Sequence, residues 1–209
     1  MEVITDDATL LNAWRDGDRE SGVALFDRYY DLLARFFANK AAEARDDLVQ
    51  ATLMACLEKV DTLRKASSFR SFLLSIARYE LLHYYRRRSR RETPHDFSEI
   101  SVYDLEPSPS RIIAEHQEQR LLLEALRYIP VDLQIVLELS YWEKASSREI
   151  AEVLGIPEGT VKSRVRRARE RLKAAMAELA ESPQLLESTS ADLDQWANGV
   201  RERLVPRSR

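Results

Sequence analysis

Ser147-Arg148-Glu149-Ile150-Ala151-Glu152-Val153-Leu154-Gly155-Ile156-Pro157-Glu158-Gly159-Thr160-Val161-Lys162-Ser163-Arg164 decides the fold. It reads as a short helix with one apolar face, a glycine-containing turn, and a second helix loaded with Arg and Lys. That layout is a helix-turn-helix, whose second helix enters the major groove of DNA. On this second helix Val161, Val165, Ala168 and Leu172 recur at i, i+4, i+7 and i+11 and form one buried stripe. Lys162, Ser163, Arg166, Arg167 and Glu170 fall on the opposite face. Thr160 lies near the helix start, where groove-reading residues sit. A basic amphipathic helix alone is more often a solvated face. The preceding helix and the turn at Gly155 are what favour DNA.

Outward from this motif, helical patterning dominates. The chain has 209 residues, enough for one large domain or two small ones. Hydrophobic residues make up 44% and charged residues 32%, a balance that suits soluble helical domains and argues against wholesale disorder. With 5 Gly and 7 Pro, long uninterrupted helices are permitted. Residues 8–91 read as helices: Val23, Phe26, Tyr29, Tyr30, Leu33 and Phe37 share one helical face, Asp46-Asp47 marks a helix start, and Phe69 to Leu81 follows a polar break. Residues 92–111, with Pro94, Pro107, Pro109, serines and carboxylates, lose the period and read as a linker. Patterning returns over 112–180, broken at Pro130. Residues 181–209 carry Leu193, Trp196, Ala197, Val200 and Leu204 at helical spacing, which either packs on the preceding domain or binds a regulator. Leu204-Val205-Pro206-Arg207 at the extreme end resembles a protease-recognition tag. The expected fold is all-α, in two helical domains joined by a flexible linker.

The net charge of −3 hides an asymmetry. The first third is acidic, whereas Arg86-Arg87-Arg88-Ser89-Arg90-Arg91 and the segment from Lys162 to Lys173 are basic. Phosphate binding follows local charge density and counterion release, so two basic patches imply two places where nucleic acid is touched. The single cysteine, Cys56, lies among apolar neighbours and reads as a buried thiol in a reducing compartment. The acidic N-terminus differs from a signal peptide, and no apolar run reaches the roughly 20 residues a membrane span needs, which points to a cytoplasmic protein without membrane insertion. His83, His95 and His116 have no spacing to carboxylates or to Cys56 that suggests zinc. No nucleophile–base arrangement, Gly-rich phosphate loop or paired metal motif is present, so neither an enzyme nor a cofactor is expected.

Several segments together resemble the extracytoplasmic-function sigma factors of bacterial RNA polymerase. Asp47-Leu48-Val49-Gln50 is similar to the signature of that family's region two, and Phe69-Arg70-Ser71-Phe72-Leu73 with Ile76-Ala77-Arg78 to its next helix. Ile129-Pro130, Ile150 to Pro157 and Gly159 to Arg164 are similar to region four. The resemblance covers about residues 8–180, and the segments occur in the family's order. Ala51, Leu53 and Leu57 stand where the family often has Glu, Phe and a bulky aromatic. Tyr79 and His83 stand where Asn or Asp is frequent, which predicts an uncommon promoter sequence for region two.

The resemblance implies a chain that binds core RNA polymerase and directs sequence-specific promoter recognition and transcription initiation. Residues 8–91 would be region two, docking on the polymerase clamp through Asp47, Gln50 and Thr52. They would also read the minus-ten element, largely as single strand, through Arg64, Ser67, Ser68, Arg78, Tyr79, His83, Arg86, Arg87 and Arg88. Unstacked bases need a π-face and a backbone needs cations, types these residues supply; for the tyrosines, a core role competes with stacking. Residues 112–180 would be region four, reading the minus-thirty-five duplex through Ser147, Arg148, Thr160, Lys162, Ser163, Arg166 and Arg167. The acidic linker either threads through the polymerase or is a solvated tether. An anti-sigma factor is a further candidate partner. The competing readings are a helix-turn-helix regulator acting without polymerase, and a protein-binding module whose DNA contacts are vestigial.

Overall fold

A computed structural model describes residues 6–63, 69–88, 96–105 and 116–191, with isolated positions after them. The elements are α1 (Asp7–Arg15), α2 (Arg19–Ala38), α3 (Arg45–Lys59), α4 (Phe69–Arg88), α5 (Val102–Leu105), α6 (Gln117–Tyr128), α7 (Val131–Tyr141), α8 (Ser147–Leu154), α9 (Glu158–Leu179) and α10 (Pro183–Ala191). Short 3₁₀ turns precede and follow α3. Among the described residues the fold is all-helical, with one isolated β-bridge between Ser101 and Pro130.

Local chemistry sets the boundaries. The Asp6 carboxylate accepts from the Thr9 amide at 2.7 Å to cap α1. Gly17, at φ 102°, supplies the left-handed turn between α1 and α2. At Gly22 a Cβ would lie 2.8 Å from the Trp14 indole, so the close approach of α1 and α2 depends on that glycine. Asp46 and Asp47 occupy the first turn of α3, where carboxylates oppose the positive end of the helix dipole.

The two helical units pack on each other. α1 to α4 build a core around Leu11, Leu25, Leu33, Phe37, Phe69, Leu73, Leu81 and Tyr85. The same apolar cluster continues into Val131, Ile135, Val136, Leu139, Ile150, Val153, Leu154 and Val161. A second cluster joins Leu122, Leu126, Leu137, Trp142, Ala168, Leu172 and Met176 inside the C-terminal unit. The centre of this architecture is α7. Every residue from Val131 to Leu139 is buried, because one side faces α6 and α9 and the other faces the N-terminal unit. A helix buried all round is a core helix, yet this one carries Asp132, Gln134 and Glu138. Those polar groups need partners.

The linker expectation is corrected in part. Residues 96–105 are ordered against both units. Phe97 and Val102 are buried, the amides of Val131 and Asp132 donate to the carbonyls of Ile100 and Phe97 at 3.0 and 3.2 Å, and α5 begins where Ser101 and Asp104 exchange hydrogen bonds. Two apolar anchors in a polar stretch outweigh the composition. Residues 89–95 and 106–115 lie outside the described residues.

α10 packs on α6 and α9 through Leu185, Leu186 and the buried Thr189, whose hydroxyl donates to the Leu185 carbonyl at 2.7 Å. The face expected from Leu193, Trp196, Ala197, Val200 and Leu204 lies outside the described side chains.

Candidate nucleic-acid interface

The helix-turn-helix is built as its residues dictate. Ser146 caps α8: its hydroxyl accepts from the Glu149 amide at 3.2 Å while the Glu149 carboxylate accepts from the Ser146 amide at 2.8 Å. Gly155 ends the helix at φ 65°, a left-handed cap that suits glycine. Val161, Ala168 and Leu172 are buried and Val165 partly so, which leaves Lys162, Ser163, Arg166 and Arg167 exposed on the other side of α9. Thr160 is half-buried, and its carbonyl accepts from the Ser163 hydroxyl at 2.8 Å. Ser147 is half-buried at the start of α8, and the exposed Arg148 pairs with Glu152 at 3.2 Å. Lys162 and Arg166 carry no ion pair among the described residues, whereas Arg167 reaches Glu99 at 3.2 Å.

The second candidate face lies on α4. Tyr79 is 54% exposed, and its ring lies parallel to that of the exposed His83, with 6.1 Å between centroids and 4° between planes. The Lys59 ammonium lies 5.4 Å from the Tyr79 ring centroid. Tyr79 is therefore not a core residue. Tyr85 is, being buried with its hydroxyl donating to the Lys40 carbonyl at 2.7 Å. Arg86, Arg87 and Arg88 are exposed at the end of the helix, Arg86 over the Phe97 ring and Arg88 donating to the Tyr84 hydroxyl. Arg78 is half-buried, and both its Nε and a terminal nitrogen donate to Asp132, at 3.1 and 2.8 Å. Arg64, Ser67 and Ser68 lie outside the described residues.

On α3 the exposed candidates Asp47 and Gln50 continue into Met54 and Leu57, which are 54% and 45% exposed. These four sit at i, i+3, i+7 and i+10 and form one stripe with a polar start and an apolar end. Met54 was not anticipated, although its spacing from Asp47 and Gln50 is a readable signal. Thr52 requires a correction. It is fully buried and its hydroxyl donates to the Leu48 carbonyl at 2.7 Å, because it sits one turn from both Leu48 and Cys56 on the core side. It is not an exposed contact.

Sequence reasoning also missed a row of ion pairs between the units. Cations of the N-terminal unit meet carboxylates of the C-terminal one. Arg35 grips Glu143 with two bonds of 2.8 and 3.2 Å, Arg70 reaches Glu149 at 3.2 Å, and Arg78 holds Asp132. Lys40 pairs with Glu138 in full burial, and Gln134 donates to the same carboxylate at 2.8 Å. Burial pushes the Lys40 ammonium below its ordinary range and the Glu138 carboxyl above its own, each towards neutrality, while their mutual attraction opposes both shifts. Among the described residues no group of His, Cys, Asp and Glu is placed to hold a metal ion, and no helix is long and apolar enough to cross a membrane.

Helical units with exposed basic and aromatic faces define a DNA-binding architecture, and comparison with known proteins specifies it. Residues 25–91 match the family described as Sigma-70 region 2, and residues 119–172 match Sigma-70, region 4. The chain is 27% identical over 184 residues to the ECF RNA polymerase sigma-E factor of Haemophilus influenzae, covering 82% of this chain and 95% of that one. Among solved structures it is similar to CnrH in complex with the cytosolic domain of CnrY, with a TM-score of 0.59 and 22% identity over 83% of this chain and 99% of that one. It is also similar to the sigma factor RpoE of Bartonella quintana in complex with the anti-sigma factor NepR, with a TM-score of 0.55 and 24% identity over 78% and 99%. The chain belongs to the sigma-70 family, in its extracytoplasmic-function branch.

Proposed function

We infer that this chain is a promoter-specificity subunit that binds core RNA polymerase and directs transcription initiation. The observation that carries this reading is the pairing of two units in one chain: a helix-turn-helix with an exposed basic face, and a second helical unit whose α4 presents stacked aromatic rings beside arginines. A regulator that only reads duplex DNA has no need of the second. In this reading Thr160, Lys162, Ser163 and Arg166 face the upstream duplex, with Ser147, Arg148 and Arg167 on its phosphates. Tyr79 and His83 offer a π-face to unpaired bases, with Arg86, Arg87 and Arg88 along the strand. The α3 stripe of Asp47, Gln50, Met54 and Leu57 docks on polymerase, charge steering the encounter and apolar contact holding it.

The chain's role is recognition, and the chemistry of transcription belongs to the polymerase. Its place of work is the cytoplasm, where polymerase and DNA are found. By family resemblance we add an anti-sigma factor to its partner classes. The test is co-purification of the full chain with core polymerase, followed by run-off transcription from a promoter selected with the holoenzyme. Co-purification with promoter-dependent transcripts is the expected result. Duplex binding without association with polymerase would instead establish the free regulator.

A further inference from the structure

The last turn of α3 ends beside the aromatic face of α4, and two cations that the reading above leaves unused converge on that end. Lys59, the final residue of α3, is exposed and has no ion pair among the described residues. Its ammonium lies over the Tyr79 ring instead. An exposed cation–π contact is weak, and a phosphate oxygen is a far stronger partner for an ammonium. A lysine with no carboxylate to leave is therefore available to take one. Phosphates recur every ~3.4 Å along a stacked strand. A base resting on Tyr79 brings its flanking phosphates within reach of a lysine whose ammonium is already 5.4 Å from the ring centre.

Such a contact needs a fixed stem, and α1 supplies it. The carbonyls at the end of a helix have no partners within it, and they carry the negative end of the helix dipole. At α3 that deficit is met by Arg15, 45 residues before Val60. One terminal nitrogen of Arg15 donates to the Val60 carbonyl at 2.7 Å and to the Leu63 carbonyl. The Leu63 amide donates to the same Val60 carbonyl at 3.2 Å. The Arg15 Nε is buried without a partner, an unfavourable term that the two carbonyl bonds offset. α1 is itself held on α2, where Trp14 meets Phe26 edge-on at 5.2 Å and lies against Gly22. The guanidinium is thus a strut from the α1–α2 pair to the residue that follows Lys59.

We propose that the end of α3 belongs to the strand-binding face: Lys59 takes a phosphate of the unpaired strand beside the base on Tyr79, and Arg15 is the positioning residue that keeps Lys59 there. The contact carries no sequence information. It adds affinity for the opened strand without reading it, since phosphate contacts position and base contacts specify. The proposal rests on the role given above to Tyr79 as a platform for unpaired bases.

The test uses holoenzyme assembled from core polymerase and the full chain, bound to a fork template unpaired across the minus-ten element and titrated at several salt concentrations. Lys59→Met keeps the stem and removes the charge. It should flatten the plot of log affinity against log salt by about 0.7, the value of one single-strand phosphate, or about fivefold for each tenfold change in salt. Lys59→Arg should keep the wild-type slope. Arg19→Met, an exposed charge at the start of α2, is the control for net charge and should also keep it. Arg15→Met should weaken binding to the fork, and adding it to Lys59→Met should cause no further loss, because both act through one contact. If Arg15→Met does not fold, Arg15→Lys takes its place, since it keeps the charge at the helix end. A Lys59→Met slope equal to that of wild type or of the control overturns the proposal. Arg15 and Lys59 losses that multiply overturn the positioning role, because a merely structural arginine would weaken binding whatever stands at 59. Wild-type holoenzyme that fails to bind the fork tells against the function proposed above, whereas normal wild-type binding with unchanged slopes tells against Lys59 alone.

Discussion

Glu138→Gln isolates the most demanding interaction in the protein. Lys40 has no exposed surface, and the carboxylate of Glu138 is the nearest charge to its ammonium. Removing one partner of a buried ion pair typically costs about 3–5 kcal/mol, because the remaining charge keeps its desolvation cost and loses its compensation. The glutamine carbonyl can still accept a hydrogen bond, and the Lys40 ammonium lies 4.4 Å from the Phe36 ring centroid, so the lower end of that range applies. A destabilisation of about 3 kcal/mol corresponds to a Tm lower by roughly 6–12 °C for a chain of this size.

The sign of the pH dependence is a sharper check. Burial already lowers Lys40 below its ordinary value of 10.5, and losing Glu138 lowers it further. The folded variant then binds fewer protons than the unfolded chain at alkaline pH, so its penalty fades as pH rises towards 10.5. Lys40→Met strands the carboxyl instead, whose folded pKa is raised from 4.5, so that penalty fades as pH falls towards 4.5. The double variant Lys40→Met/Glu138→Gln should recover most of the stability, since no buried charge remains. Calorimetry or urea unfolding across pH measures all three. A Glu138→Gln cost below about 1 kcal/mol, the range of exposed pairs, or two single variants with the same pH slope, would refute burial of this pair.

Three other outcomes follow from the same geometry. Arg166→Ala with Arg167→Ala should weaken binding of the upstream duplex by about 1–3 kcal/mol for each arginine that bonds a base edge, yet leave polymerase association intact, because both side chains are exposed opposite the Val161–Leu172 stripe; gel shift and co-purification read the two effects separately, and unfolding would disprove the helix orientation. Tyr79→Ala or His83→Ala in the holoenzyme should spare closed-complex binding and impair promoter opening, with recovery on a template already melted at the minus-ten element; permanganate footprinting decides, and normal opening on duplex would remove these rings from the mechanism. Burial pushes the Cys56 thiol up to about 12, so at pH 8 it should resist alkylation in the native chain and react only at the rate of unfolding, and prompt labelling would show the α3 core to be open.

What the sequence made legible was whatever repeats with a local period. The Val161, Ala168 and Leu172 stripe, the start of α3 at two aspartates and the glycine turn at Gly155 each follow from residues within a turn or two of one another. Thr52 failed for a local reason as well: it shares a face with Leu48 and Cys56, so helical phase outweighed its polarity. The unread features all depend on partners far along the chain. Lys40 and Glu138, or Arg35 and Glu143, are about a hundred positions apart, and each alone looks like one more surface charge in a chain of which 32% is charged. One trace was present in α7, where Asp132, Gln134 and Glu138 interrupt a run that is otherwise Val, Leu and Ile. Polar groups in a helix with no exposed side require partners, so their presence announces an interface without naming the other half. The linker gave a similar trace in Phe97 and Val102, apolar anchors within an acidic and proline-marked stretch. Phase identifies a face, but only the folded chain shows what that face meets, and here it meets the other DNA-binding unit.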